Sequence, residues 1–80
     1  MSKYSEIYNN ISQILLAEFG VSDEYIKGEY RLNGDILDNR LEVFELTLNV
    51  ENEYQIGIDE NLITEKTTFG DLVKIVENAL

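Results

Sequence analysis

The sequence predicts a small all-α domain. Apolar residues recur every three or four positions in three stretches, whereas strand-like alternation is weak throughout. The chain contains no proline, and no low-complexity segment, internal repeat or composition shift marks a linker. Its 80 residues are enough for one modest core. We therefore expect a single domain over residues 1–80, a small bundle of three main helices plus one short helix, with a long loop between helices one and two.

The first helix is expected to cover about Tyr4–Phe19. Its apolar positions follow helical spacing with polar residues between them, and Gly20 is a natural C-terminal stop. The apolar positions are Ile7, Ile11, Ile14, Leu15 and Phe19.

Residues 21–38 are expected to form the long loop. Periodicity fades there, Gly28 and Gly34 interrupt the segment, and isolated apolar residues are spaced as anchors onto a core. These anchors are Val21, Ile26, Leu32 and Ile36. A loop of eighteen residues is long for so small a domain, which indicates either a wrong assignment or a functional segment.

The second helix is predicted to begin after Asn39, which is a suitable N-cap, with Glu42 as the reciprocal capping residue. It is expected to end near Glu53. A short turn or one-turn helix is expected within Ile58–Glu65.

The last helix is predicted from Thr68 and Asp71, which repeat the capping pattern just before a strongly apolar stripe. The stripe consists of Phe69, Leu72, Val73, Val76 and Leu80.

Helix two carries two apolar stripes when its residues are placed about 100° apart. The expected buried stripe consists of Val43, Leu46, Val50 and Tyr54. The second stripe, here called the apolar ridge, consists of Leu41, Phe44 and Leu48 and is flanked by Glu45 and Asn52 on one side and Glu51 on the other. One stripe is enough to hold a helix in a small bundle, so the ridge indicates a docking surface. The alternative is that the long loop folds over the ridge and buries it.

Composition excludes several classes of function. Sixteen acidic against six basic residues give a net charge of -10, which repels nucleic acid and anionic lipid and favours a basic-patched partner. Without cysteine or histidine, neither a disulfide nor a metal site is predicted. No apolar run approaches the roughly 20 residues of a membrane span, and no signal peptide is evident, so a cytoplasmic protein is expected. No nucleophile or base motif is present, and we do not expect an enzyme.

Several short segments, taken together at constant spacing, resemble the acyl carrier protein family over most of the chain. They are Phe19-Gly20-Val21, Asp35-Ile36, the run from Leu41 to Leu46, Glu51-Asn52-Glu53-Tyr54, Ile58-Asp59-Glu60 and Thr67-Thr68-Phe69. The resemblance implies a four-helix bundle of fatty-acid or polyketide synthesis that carries phosphopantetheine on a serine and docks its enzymes through helix two.

The chain departs from that family at the attachment position. The family's recognition helix begins with aspartate, serine and leucine, usually after glycine, whereas this chain reads Leu37-Asp38-Asn39-Arg40-Leu41. Arg40 therefore takes the place of the modified serine, and a guanidinium is neither a useful nucleophile nor deprotonated near neutrality. Attachment of 4′-phosphopantetheine is predicted to be lost, and no cofactor is expected. The remaining serines are poor substitutes in or beside helix one: Ser2, Ser5, Ser12 and Ser22.

Arg40 has two interpretations. In the first turn of a helix the dipole disfavours a cation by roughly 0.3 to 1 kcal/mol. Neighbouring Asp35, Asp38 and Glu42 can offset this effect, and the simpler interpretation is a solvated arginine satisfied by these carboxylates. The functional interpretation is that Arg40 excludes pantetheine or binds a carboxylate or phosphate of a partner.

The preferred function is a monomeric, non-acylated interaction module that docks a basic-patched protein, such as an enzyme of fatty-acid or polyketide synthesis. The predicted partner-binding residues are Arg40, Leu41, Glu42, Phe44, Glu45, Leu48 and Glu51. Two alternatives stay open: a working carrier loaded by other chemistry, and a module that binds a fatty acid or similar amphiphile noncovalently.

Overall fold

Three α-helices and two 3-10 turns form the fold in a computed structural model that describes residues 3–80. The helices are α1 (Lys3–Phe19), α2 (Arg40–Tyr54) and α3 (Phe69–Ala79), and the 3-10 turns are Asp23–Tyr25 and Glu60–Leu62. Over residues 3–80 the chain forms isolated β-bridges but no strand. The prediction of a small all-α bundle is therefore confirmed. None of the helices described is long and apolar enough to cross a membrane.

The core joins residues of all three helices and the long loop, and α1 packs against both α2 and α3. Its buried apolar residues are Ile7, Ile11, Leu15, Ile26, Leu32, Leu37, Val43, Leu46, Val50, Phe69, Leu72, Val73 and Val76. The ring of Phe69 lies edge-on to that of Tyr8, with the ring centroids 4.7 Å apart. Burial raises the pKa of the Tyr8 hydroxyl, which donates a hydrogen bond to the Ile26 carbonyl oxygen.

Two positions of the predicted apolar stripes differ from expectation. Tyr54 is only half-buried because it lies in the last turn of α2, where its hydroxyl accepts a hydrogen bond from the Asn10 side chain at 2.9 Å. Thr47 of α2, which was not part of the predicted stripe, is buried, and its hydroxyl donates a hydrogen bond to the Phe44 carbonyl oxygen at 2.7 Å. Leu80 is exposed because it follows the last residue of α3.

The long loop is fastened to the start of α3 by backbone hydrogen bonds. The Phe69 amide donates to the Tyr30 carbonyl at 2.8 Å, and the Gly70 amide donates to the Gly28 carbonyl at 2.9 Å. This approach leaves little space, because a Cβ on Gly70 would lie 3.0 Å from both the Gly28 carbonyl oxygen and the Tyr4 hydroxyl. Glycine at position 70 therefore lets the loop and α3 meet.

The loop anchors are partly as predicted. Ile26 and Leu32 are buried, whereas Val21 and Ile36 are half-buried. Leu37, which was not among the predicted anchors, is buried because a tight turn directs it inward: its amide donates to the Leu32 carbonyl at 2.9 Å. The 3-10 turn Asp23–Tyr25 was also not predicted, since its polar sequence has no helical apolar spacing.

Candidate partner-binding site

The apolar ridge of α2 is open to solvent. Leu41, Phe44 and Leu48 are 66%, 48% and 43% exposed, while Leu46 on the other face of the helix is fully buried. The long loop does not bury the ridge, contrary to the alternative interpretation, because its own hydrogen bonds hold it against the start of α3. A surface of large apolar side chains on one helix therefore has no partner within the described part of the chain.

The start of α2 is fixed by side-chain caps. The Asn39 side-chain oxygen accepts a hydrogen bond from the Glu42 amide at 3.0 Å, as predicted for an N-cap. The Glu42 carboxylate accepts from the Asp38 amide at 2.9 Å, one residue earlier than the reciprocal bond that was predicted to Asn39. These bonds set Arg40 as the first residue of the helix. Glu42 is therefore half-buried and engaged in capping.

Arg40 is exposed and has no carboxylate partner. Across residues 3–80, the one ion pair within 4.0 Å joins Arg31 and Asp35, at 3.8 Å. Asp35 also accepts a hydrogen bond from the Arg31 amide at 2.9 Å, and Glu42 is occupied at the cap. The simpler interpretation, a solvated arginine satisfied by Asp35, Asp38 and Glu42, stays a prediction: Arg40 is exposed to solvent, but no direct ion pair with these carboxylates is formed in this structure.

A groove of about 600 Å³ lies between α2 and the segment 58–65. Both walls are partly apolar: α2 contributes Val43 and Phe44, and segment 58–65 contributes Ile58 and Ile63. The charged lining residues are Arg40 and Glu51 on α2 and Glu60 and Glu65 on the segment. Phe44 belongs to both the ridge and the groove. The sequence indicated the contribution of α2 but not the second wall, because only the tertiary fold brings segment 58–65 against this helix.

The Glu51 carboxylate has a structural contact and is not a free acidic group beside the ridge. It accepts a hydrogen bond from the Ile58 amide at 2.7 Å, which holds the chain after α2 close to the helix. Glu45 is exposed beside the ridge. Of the predicted residues on α2, Glu42 and Glu51 have structural contacts, whereas Arg40, Glu45 and the ridge are exposed to solvent.

The described serines lie outside α2 and outside the groove. Ser5 and Ser12 lie in α1, and Ser22 precedes the first 3-10 turn. Ser12 is buried, with its hydroxyl donating to the Tyr8 carbonyl at 2.8 Å. Ser2 lies outside the described residues.

Comparison with known proteins points to one family. No protein-family model matches the chain. The acyl carrier protein of Thermotoga maritima is 25% identical over 80 residues, which cover 100% of this chain and 99% of the relative. That of Sulfurovum sp. is 24% identical over 72 residues (90% and 96%), and that of Wolinella succinogenes 27% identical over 71 residues (89% and 93%). These near-full-length matches, the helical fold and the spacing of the motifs agree, and they show that the chain is similar to acyl carrier proteins over nearly its whole length.

Proposed function

We propose that the protein is a non-acylated interaction module of fatty-acid metabolism that docks a basic-patched protein partner through α2. The observation that carries this proposal is the exposed apolar ridge on a helix whose opposite face is already buried in the core. The acyl carrier proteins to which the chain is similar suggest that the partner is an enzyme of fatty-acid synthesis. The proposed activity is binding by a cytoplasmic monomer, without catalysis.

Docking would combine two physical effects. The net charge of -10 attracts a basic surface and speeds encounter, while burial of the ridge supplies most of the affinity. Arg40, Leu41, Phe44, Glu45 and Leu48 would touch the partner directly. Glu42 and Glu51 would act by holding the start of the helix and the wall of the groove in place.

The docking proposal is tested with a panel of purified fatty-acid synthesis enzymes from the same host. Binding is measured for the natural protein and for Phe44→Ala, at low and at physiological ionic strength. A central aromatic contact is worth about 2 kcal/mol or more when truncated, so affinity should fall by at least about tenfold. Leu16→Ala is the matched control, because Leu16 is 53% exposed but lies on α1. An affinity that changes neither with Phe44→Ala nor with ionic strength would eliminate the proposal.

Loss of the prosthetic group is a separate part of the proposal. The protein is incubated with coenzyme A and a broad-specificity phosphopantetheinyl transferase, and its intact mass is measured. We expect no adduct, because Arg40 offers no hydroxyl to the transferase. Arg40→Ser restores that hydroxyl and asks whether the transferase still recognises the surface. An adduct on the natural chain would instead support a carrier loaded at another residue.

The groove favours one further candidate function, noncovalent binding of a fatty acid or similar amphiphile. Its volume of about 600 Å³ lies in the range of small-molecule sites, and its lining includes the apolar residues Val43, Phe44 and Ile63. A ligand that binds only the folded chain raises the apparent unfolding temperature by mass action. Thermal unfolding with fatty acids of increasing chain length tests this candidate, and an unchanged midpoint at every length would exclude it.

A further inference from the structure

We infer that the groove receives a short segment of the protein partner that carries an acidic, an apolar and a basic side chain. The acidic group would contact Arg40, the apolar group would pack against Phe44, and the basic group would face Glu60 and Glu65. This inference rests on the proposed docking function and specifies the chemistry of the partner.

The position of Arg40 calls for an external anion. Its guanidinium lies in the first turn of α2, where the helix dipole opposes a cation, and no carboxylate of the described residues pairs with it. The two nearest candidates in sequence with defined contacts, Asp35 and Glu42, are already held by Arg31 and by the Asp38 amide. A partner carboxylate would therefore meet a cation that has no competing internal contact.

The apolar residues that line the groove strengthen the contact between Arg40 and a partner carboxylate. Arg40 shares the groove with Val43, Phe44 and Ile63, whose side chains exclude part of the surrounding water when a segment is seated. Because Coulomb attraction rises as the effective dielectric falls, the two charges attract each other more strongly here than on an open surface, and desolvation of the charges offsets part of this gain. An apolar side chain next to the acidic one would supply the burial that holds the segment in place.

The acidic residues of segment 58–65 indicate that the ligand carries both signs of charge. Glu60 and Glu65 are exposed there, whereas Glu51 is bound to the Ile58 amide. A ligand with a single negative group would gain at Arg40 and be repelled by these two carboxylates. A segment that adds a basic group can pair with these carboxylates as well as with Arg40.

Phe44 connects this groove with the ridge. Because Phe44 belongs to both surfaces, a partner that covers Leu41 and Leu48 lies next to the groove entrance and can insert a segment without leaving the ridge. The groove would thereby distinguish partners that share a basic, apolar docking face but lack an acidic residue at this point.

The test uses blocked tetrapeptides and the backbone amide NMR signals of the full chain. The probe is acetyl-Glu-Leu-Leu-Lys-amide, compared with versions in which glutamine replaces either the Glu or the Lys. We expect the signals of Arg40, Phe44 and Ile63 to move with the probe, and each glutamine version to bind roughly two- to fivefold more weakly, as partly exposed ion pairs do. In the Arg40→Gln protein, removing the peptide's acid should no longer matter. In the control Lys74→Gln, which removes an exposed cation on α3 outside the groove, it should matter as before.

Two kinds of result would overturn the inference. One is that the peptides do not distinguish the charges, because all three bind equally or because none shifts the groove signals. The other is an equal or larger shift with sodium octanoate, which would show that the groove takes a simple amphiphile. If the peptides fail while Phe44→Ala still abolishes enzyme binding, the docking function stands without this inference; if enzyme binding ignores Phe44→Ala, the docking function itself fails.

Discussion

Arg40 is the first residue of α2, and its surroundings make its contribution to stability predictable. It has no ion pair among the described residues and lies at the unfavourable end of a helix dipole. The helix start depends on Asn39 and Glu42, whose capping bonds do not involve the guanidinium.

We therefore expect Arg40→Gln to leave the free energy of unfolding unchanged or to raise it by up to about 0.5 kcal/mol. Urea unfolding measures this change. Arg31→Gln provides the comparison, since it removes the exposed pair with Asp35 and should lower stability by about 0 to 1 kcal/mol. A loss well above about 1 kcal/mol for Arg40→Gln would show that Arg40 has an internal partner.

Gly70 is the second informative residue, because the long loop touches α3 there. Gly70→Ala should lower the free energy of unfolding by about 1 to 3 kcal/mol, since the added methyl group meets the Gly28 carbonyl oxygen and the Tyr4 hydroxyl at 3.0 Å. Urea unfolding checks the value. Gly57→Ala is the control, because a Cβ at Gly57 meets nothing within 4 Å. Equal stability of the two variants would contradict the close packing of the loop.

At the scale of elements, α3 shows the capping arrangement in full. The Thr68 hydroxyl accepts from the Asp71 amide at 3.1 Å, and the Asp71 carboxylate accepts from the Thr68 amide at 3.0 Å. Thr68→Ala should therefore cost about 1 kcal/mol of unfolding free energy, whereas Thr68→Ser keeps the oxygen and should change it little. Chemical denaturation of both variants tests this, and an equal loss in both would mean that the Thr68 methyl group, not the cap, matters.

The two faces of α2 should respond differently to truncation. Leu46→Ala removes a fully buried side chain and should lower unfolding free energy by about 2 to 5 kcal/mol. Phe44→Ala removes a side chain that is 48% exposed and should cost clearly less, about 1 kcal/mol or below. Urea denaturation of the pair gives the answer. Comparable losses would assign Phe44 to the core and remove the structural basis for the docking surface.

At the scale of the whole molecule, the net charge of -10 opposes folding by self-repulsion. Raising the ionic strength shortens the Debye length from about 30 Å at 0.01 M to about 8 Å at physiological salt, which weakens this repulsion. Thermal unfolding should therefore shift upward as sodium chloride is added. The increase corresponds to roughly 4–8 °C for each kcal/mol regained in a domain of this size.

The double variant Glu24→Lys and Glu29→Lys is the control for this effect. Both residues are exposed and lie outside the three helices, so the variant reduces the negative charge without touching the core or the groove. Its unfolding temperature should rise at low salt and depend less on added salt. The same salt dependence in both proteins would show that general charge repulsion is not the cause.

The sequence by itself determined the all-α class, the three main helices to within one residue at most ends, the cap of α3 and the two-sided character of α2. These features depend on local periodicity and on capping residues a few positions apart, so the order of side chains is sufficient to predict them.

Only the tertiary structure decided the rest. It showed that the loop packs against α3 and leaves the ridge exposed, that Leu37 turns inward, and that Asp35 and Glu42 are engaged away from Arg40. It also showed that segment 58–65 closes a groove against α2. Each of these depends on contacts between segments distant in sequence or on which of several nearby polar groups forms a given hydrogen bond, and local patterns do not specify either.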